Sequence, residues 1–472
     1  MKILVGMSGG VDSSVTALLL KQAGHEVIGA TMAIWDDANT SRIPEHANGC
    51  FAPDEDDIAS AKAVCATLGI PHMVLDCREQ YRRIVLENFK SEYKSGRTPN
   101  PCVICNANIK FRVLPETTKQ QGIAFDKFAT GHYARVELSP HDRRYHILRG
   151  IDSKKDQSYF LYRLQQEQLQ NILLPLGTKT KIEIRELARQ AGLSVSDKPD
   201  SQDFYSGEIN DILQFPPQTG NFINSAGQIL GTHQGYWNFT IGQRRGLGLS
   251  AARPLYVISL NKDTNEVVVG FAEECLQTKL LATDWNWQSS QPDTHFCCSA
   301  KIRSSQTPCD VEVTPCNDGK YQVTFLAPQS AVTPGQSVVL YDEDAIIGGG
   351  VIAYKNDSTA AKNTGTDRLS SISILSSKTS AKVAVAQATT LTQLKLCSGQ
   401  NSKLITKAET QKAAVPSKVL FLYILILPTE RPTKAAALSE ISITVKAIAA
   451  TTLSNRHKHN SDETKTYIAP VN

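Results

Sequence analysis

The chain has 472 residues, with 50 lysines and arginines against 46 aspartates and glutamates. That length allows two or three domains with real cores, while no apolar stretch reaches the ~18 residues that spanning a bilayer needs. The longest run, Val419 to Leu427, stops at Pro428, and the chain opens without a charged-then-apolar leader, so a cytoplasmic protein with no membrane partner is expected.

The charge is uneven. Residues 356–472 carry about 15 Lys plus Arg against about 7 Asp plus Glu, roughly +8, which leaves roughly −4 for the first 355. Net charge therefore does not point to nucleic acid, which would have to be read from local patches. The 11 cysteines, in a cytoplasmic chain, read as thiols, metal ligands or catalysts rather than as a disulfide framework.

In chain order, Lys2-Ile3-Leu4-Val5 predicts a short buried strand, and Ser14 to Leu20 the opening of a helix. Between them Gly6-Met7-Ser8-Gly9-Gly10-Val11-Asp12-Ser13 is a phosphate loop of the SGGxDSS type, which implies use of ATP. Gly9 and Gly10 let backbone approach an anion, the helix N-terminus points free N–H groups at it, and Ser8 and Ser13 add hydroxyls. Asp12 is the candidate magnesium ligand. The alternative phosphate loop, GxxxxGK[ST], fails here because no lysine follows Gly10.

Glu26 to Met32 predicts a second strand, Asp56 to Leu68 a helix stopped by Gly69, and His72 to Asp76 a third strand. Gly96-Arg97-Thr98-Pro99-Asn100-Pro101-Cys102-Val103-Ile104-Cys105-Asn106 follows, and its prolines predict an extended loop presenting a CxxC pair. Such a pair supports disulfide exchange or supplies two thiolates to zinc or an iron–sulfur cluster. Cys50 is a candidate third ligand; Cys65 and Cys77 read as core or structural. Phe128 to Tyr133 is a further strand ending in glycine at the binding edge. The rhythm predicts an α/β domain with a parallel sheet and ligands at the carboxyl ends of its strands.

Lys181 to Gly192 reads as a helix, Gly220 to Gly248 as a small glycine-rich domain, and Glu266 to Tyr354 as the strands of a β-barrel or sandwich. The expected divisions are 1–205, 206–265, 266–355 and a low-complexity tail over 356–472, expected to be largely disordered.

The SGGVDSS loop, the GRTPNPCxxCN segment and Thr130-Gly131-His132-Tyr133-Ala134-Arg135 together resemble the tRNA-specific 2-thiouridylase (MnmA) family. The resemblance continues through Asp152 to Leu161 (DxxKDQSYFL), Lys198 to Asp203 (KPDSQD), Thr240 to Gly248 (TxGQRxGLG), Thr333 to Gln336 and Gly348 to Gly350, covering residues 1 to about 355. It implies an adenine nucleotide α-hydrolase-like domain, a small central domain and a C-terminal β-barrel. It also implies an ATP-dependent tRNA sulfurtransferase that adenylates O2 of the wobble uridine and replaces it with sulfur, drawing on a cysteine desulfurase, a persulfide relay or free sulfide. Met32 and Gly131 match nucleotide-contacting positions of the family, and Asn100, Pro101 and Cys102 match the segment touching the target base. His132, Lys155, Asp156, Gln157 and Gln336 resemble its tRNA contacts. Read without the family, His132 would cap a strand, Gln336 satisfy a turn and Lys155 be a solvated charge.

One departure concerns the sulfur chemistry. Family members commonly carry a second catalytic cysteine in a pattern like SQDICF, whereas this chain runs Ser201-Gln202-Asp203-Phe204-Tyr205-Ser206-Gly207. Cys105 aligns with the family nucleophile, and Cys102 stands where many members have aspartate. Either Cys102 and Cys105 together do the work of two distant cysteines, or Cys102, Cys105 and Cys50 hold a [4Fe-4S] cluster. The other functions considered are a catalytically impaired tRNA-binding homologue and another adenylating ligase with the same ATP loop.

Overall fold

Strand β1 (Lys2–Gly6) is apolar on both sides because both sides are covered. Ile3 and Val5 face one core cluster and Leu4 the other, and all three are fully buried. The computed structural model describes residues 1–34, 55–200, 204–205, 207–354, 440–446 and 464–470.

After β1 come α1 (Val11–Gln22), β2 (Glu26–Ala33), α2 (Glu55–Leu68) and β3 (His72–Asp76). Then α3 (Arg78–Tyr81) runs through a π-helical stretch into α4 (Glu87–Lys94). Helix α5 (Pro101–Cys105) likewise widens into π geometry over Asn106–Val113 before α6 (Leu114–Gln120). Strand β4 (Lys127–Ala129) and the short β7 (Ile172–Leu173) complete an all-parallel sheet of order β3-β2-β1-β4-β7. The parallel α/β fold expected from the sequence is present, with the β1–α1 turn at its centre.

Between β4 and β7 the chain makes a hairpin, β5 (Ala134–Leu138) and β6 (Tyr145–Arg149), that leaves the parallel sheet. It joins the C-terminal barrel, where Leu148 pairs with Ala345 and the guanidinium groups of Arg135 and Arg149 reach Asp344 at 3.1 and 2.8 Å. Helices α7 (Gln166–Leu169), α8 (Lys181–Gln190) and α9 (Ile209–Leu213) follow. Helix α8 starts on a capping box, with Thr180 and Glu183 satisfying each other's backbone amides.

The central sheet has the order β10-β11-β8-β9, from β8 (Gly220–Ile223), β9 (Ile229–His233), β10 (Tyr256–Asn261) and β11 (Glu266–Gly270). The boundary expected at Glu266 is therefore corrected. Glu266–Gly270 pairs with β10 and β8, because the turn before it, with Asn265 at φ 53°, folds it back on β10.

The barrel is built from β12 (Leu276–Trp287), β13 (Phe296–Lys301), β14 (Cys309–Pro315), β15 (Tyr321–Ser330), β16 (Ser337–Asp342) and β17 (Ala345–Ile352). Pairing of β12 with both β15 and β17 closes these six strands, which settles barrel over sandwich. The run Gly348-Gly349-Gly350 is needed for packing: a Cβ there would lie 2.6 Å from the Trp287 ring, 2.5 Å from Tyr162 and 2.8 Å from Trp285. Trp285 and Trp287 stack at 4.8 Å across this floor.

Residues 356–472, expected to be largely disordered, lie outside the described residues except for an antiparallel pair that the sequence reading did not anticipate, β18 (Glu440–Lys446) and β19 (Thr464–Pro470). Among the described residues no helix is long and apolar enough to cross a membrane.

Candidate active site

The phosphate loop is shaped by its glycines and serines. Gly9 adopts φ 68°, where a Cβ would run into the backbone of Asp57, and Gly10 precedes α1 in extended geometry with no side chain capping the helix. The first amides of α1 are thus left for an anion. Ser13 Oγ accepts the Ser8 amide at 3.1 Å and lies 3.2 Å from Ser8 Oγ, while Ser14 Oγ donates to the Gly10 carbonyl at 2.8 Å. Met7 is buried and its amide donates to Ala30 of β2 at 2.8 Å. Gly131, just past β4, closes the other wall, where a Cβ would lie 2.7 Å from the Asp12 carbonyl carbon. Met32, near the end of β2, is half-buried against the core on the sheet's Leu4 side.

Asp12, partly buried, is tied to two neighbouring side chains. Lys181 Nζ lies 2.7 and 2.9 Å from its two carboxylate oxygens, and the Tyr133 hydroxyl donates to one of them at 2.7 Å. Lys181 and Tyr133 thus hold the carboxylate of Asp12, the candidate magnesium ligand. Lys181 also meets Asp200 at 2.8 Å, as does Arg185, and Lys155 meets Asp200 at 2.7 Å. Lys198 donates to the Gly9 carbonyl at 3.1 Å and to Asp57 at 2.7 Å. Lys155, Lys181, Arg185 and Lys198 thus interleave with Asp12, Asp57 and Asp200 around the loop, and Asp152 accepts the Lys181 amide at 3.0 Å beside them. Burial alone would raise the Asp200 carboxyl, but hydrogen bonds and charge from Lys155 and Lys181 outweigh it and hold it below the usual range. Burial, and then the charge of Asp12, raise the Tyr133 phenol and keep it a donor.

The cysteines do not sit on an extended loop as the prolines suggested. Asn100 caps a helix, its Oδ1 accepting the Val103 amide at 3.4 Å, and Pro101 takes the first turn, where a missing N–H costs nothing. Cys102 and Cys105 are therefore three residues apart on α5, half-buried thiols on neighbouring positions of one helical face. Asn106 donates to the Phe160 carbonyl at 3.3 Å, seating the helix against the Ser158–Phe160 turn. Cys105 packs against the core containing Cys77, whose amide donates to Ala33 at the end of β2. Burial pushes the Cys77 thiol up to about 12, with Asp76 and then Cys105 adding to the rise. The CxxC helix thus stands beside the carboxyl ends of β2 and β3, on the edge that carries the phosphate loop.

Cys50 and Ser201–Asp203 lie outside the described residues. Among the described residues no group of three or more His, Cys, Asp or Glu is disposed to hold a metal ion. Tyr205, at the place of the family's second cysteine, donates to Asp211 at 2.8 Å.

The residues expected to contact tRNA have partners within the protein. His132 is 9% exposed, bonded through Nδ1 to Thr130 Oγ1 at 2.8 Å and tilted against Phe111, and burial followed by Lys110 holds its pKa well below the ordinary value. Asp156 accepts the amides of Gly150 and Ser158 and pairs with buried Lys301 of β13 at 3.6 Å. Gln157 accepts the Tyr133 amide at 3.0 Å, and Gln336 donates to the carbonyls of Thr98 and Pro99 at 3.0 and 2.8 Å. Asn100 and Pro101 start α5. Tyr133, Lys181, Arg185 and the roles of Lys198 and Asp200 escaped the sequence reading. Only the charges flanking Pro199 gave a signal.

Residues 1–205 match the family model described as the tRNA methyl transferase HUP domain, 209–271 the tRNA methyl transferase PRC-barrel domain and 277–352 the aminomethyltransferase beta-barrel domain. The chain is 46% identical over 355 residues to the tRNA-specific 2-thiouridylase MnmA of Endomicrobium trichonymphae, covering 75% of this chain and 99% of that protein. It is 45% identical over 359 residues to the protein of that name from Clostridium botulinum (strain Alaska E43 / Type E3), covering 74% and 97%. The Geobacter metallireducens protein of that name is 43% identical over 358 residues, covering 74% and 96%.

Proposed function

Because this chain belongs to the tRNA-specific 2-thiouridylase (MnmA) family, we propose that Cys105 delivers sulfur to C2 of the wobble uridine of tRNA while the loop from Gly6 to Ser13 holds the phosphates of ATP. The observation that carries this reading is the shared edge: phosphate loop and CxxC helix both stand at the carboxyl ends of one parallel sheet. The protein is an ATP-dependent tRNA sulfurtransferase.

ATP supplies the activation: uridine O2 bonds to the α-phosphorus, pyrophosphate leaves, and the oxygen becomes part of a good leaving group. The amides at the start of α1 and the hydroxyls of Ser8 and Ser13 bind the pyrophosphate portion. A persulfide on Cys105 then forms the C2–S bond as AMP departs. Cys102 attacks Cys105 Sγ, breaking the S–S bond to free thiouridine and leaving a Cys102–Cys105 disulfide. A dithiol reductant supplies the two electrons and two protons that reset it.

The donor in this route is a cysteine desulfurase or persulfide relay, and the compartment is the cytoplasm, where dithiol reductants are plentiful. A [4Fe-4S] cluster on Cys102, Cys105 and Cys50 would instead use free sulfide. Iron and sulfide analysis after anaerobic purification separates the two routes, since activity without iron leaves only the persulfide.

The deciding assay is single-turnover conversion of uridine to 2-thiouridine with purified protein, ATP and a sulfur donor. Wild type forms the product, Cys105→Ser forms none, and Cys102→Ser stalls with tRNA bound to the enzyme through a disulfide-type link that added thiol releases. Full activity of Cys105→Ser would overturn the assignment. Tyr205 in place of the second cysteine favours one other reading, a tRNA-binding homologue without turnover, which the same assay would reveal as wild type forming no product.

A further inference from the structure

The stem entering the cysteine helix, Ser95 to Pro99, has a hydrogen-bonding problem set by its sequence. Pro99 and Pro101 have no N–H to donate, and the Val103 amide that could reach back to the Pro99 carbonyl is taken by Asn100 Oδ1, so carbonyls leading into α5 need donors from elsewhere. The donors come from other domains. Gln336, at the start of the barrel's β16, sends both hydrogens of its carboxamide into the stem, to the Thr98 carbonyl at 3.0 Å and the Pro99 carbonyl at 2.8 Å. The Thr98 amide in turn donates to Pro334 at 2.9 Å. Tyr354, just past β17, donates to Ser95 at 3.1 Å, and Tyr236 of the central domain donates to Lys94 at 2.5 Å. Gly335 holds φ 90° against this stem, where a Cβ would lie 2.8 Å from the Thr98 oxygen.

We propose that Gln336 is a positioning residue for sulfur transfer: the barrel, through its carboxamide, fixes where α5 begins and therefore where the Cys102 and Cys105 thiols point. The inference rests on the reading that these thiols transfer sulfur. Pro99, whose carbonyl is bound, lies three residues before Cys102, so a shift of the stem passes directly into the helix. Sulfur attack at C2 tolerates little of this, because an error of about 1 Å in a reacting group costs up to ~100-fold in rate.

The test uses the full chain and Gln336→Glu, which keeps the shape but sets a carboxylate oxygen against two carbonyl oxygens. Gln336→Met, which removes the donors without adding charge, carries the same expectation should the first variant fail to fold. In tRNA-free protein, amide hydrogen exchange over residues 97–105 is expected to rise at least tenfold, and iodoacetamide labelling of Cys102 and Cys105 to change by threefold or more. Single-turnover thiolation is expected to fall about 10- to 100-fold, with Kd for tRNA within twofold of wild type. A weaker Kd for tRNA with unchanged exchange and labelling would make Gln336 a tRNA contact and overturn the proposal. The tRNA-free measurements need no turnover, so a failure of the sulfur-transfer reading shows separately, as wild type making no thiouridine.

Discussion

His132 shows how a side chain singled out by a motif is also held by its surroundings. Its position after Thr130-Gly131 resembles a tRNA contact, yet the ring is buried, neutral and bonded to Thr130. A pKa lowered by folding gives a definite sign. Above the ordinary histidine value near 6.5 both folded and unfolded chains are neutral and nothing is at stake; below it the unfolded chain takes up a proton that the folded one refuses. Thermal stability should therefore drop between pH 7 and 5.5 more steeply in wild type than in His132→Phe, and equal slopes in the two melting series would refute this. Such burial was not legible because it depends on Phe111, 21 positions earlier. The serines and glycines of the phosphate loop were legible because their task is local: backbone approach and short-range hydroxyl bonds between residues 8 and 14.

Among the elements, α5 and α8 were the hard ones. Asn100-Pro101 reads equally as the end of an extended loop and as a helix start, and only the Val103 amide meeting Asn100 settles it. Helix α8 was predicted by its periodicity, but its first residue, Lys181, has its partner Asp12 169 positions away, beyond any local pattern. That tie joins α8 to the helix that follows the phosphate loop. Replacing Lys181 by Met leaves Asp12 as an uncompensated negative charge beside the phosphates, and losing a charge-assisted bond costs about 1.5–3 kcal/mol. The KM for ATP in tRNA-dependent AMP release should rise by roughly tenfold or more, and an unchanged KM would remove α8 from the site.

For the molecule as a whole, three domains were visible from shifts in texture, but their interlocking was not. Asp156 and Lys301 illustrate it: a motif aspartate of the first domain and a lysine of the barrel, side chains 3% and 6% exposed, form an ion pair inside the protein. Breaking such a pair strands a charge, so Asp156→Asn should lower unfolding stability by about 3 kcal/mol, read from denaturant midpoints at constant slope. At the surface, Arg244 and Arg245 of the GQRRGLG turn are exposed in the central domain. Binding of tRNA should weaken with salt, and replacing both arginines by alanine should reduce the log–log salt slope by about two; no change in slope would place the phosphate contacts elsewhere.

The hairpin β5–β6 carries a consequence for how the protein is made. Its outer partner, β17, is translated roughly 200 residues after Arg149, which at 5–20 residues per second is about 10–40 s of synthesis. For that interval the emerging first domain holds an unpaired strand edge, and Asp344 is not yet there to meet Arg135 and Arg149. Completion of the first domain must then wait on the last strand of the barrel, and a ribosome stalled before Ala345 would present a sticky nascent chain rather than a finished nucleotide-binding domain.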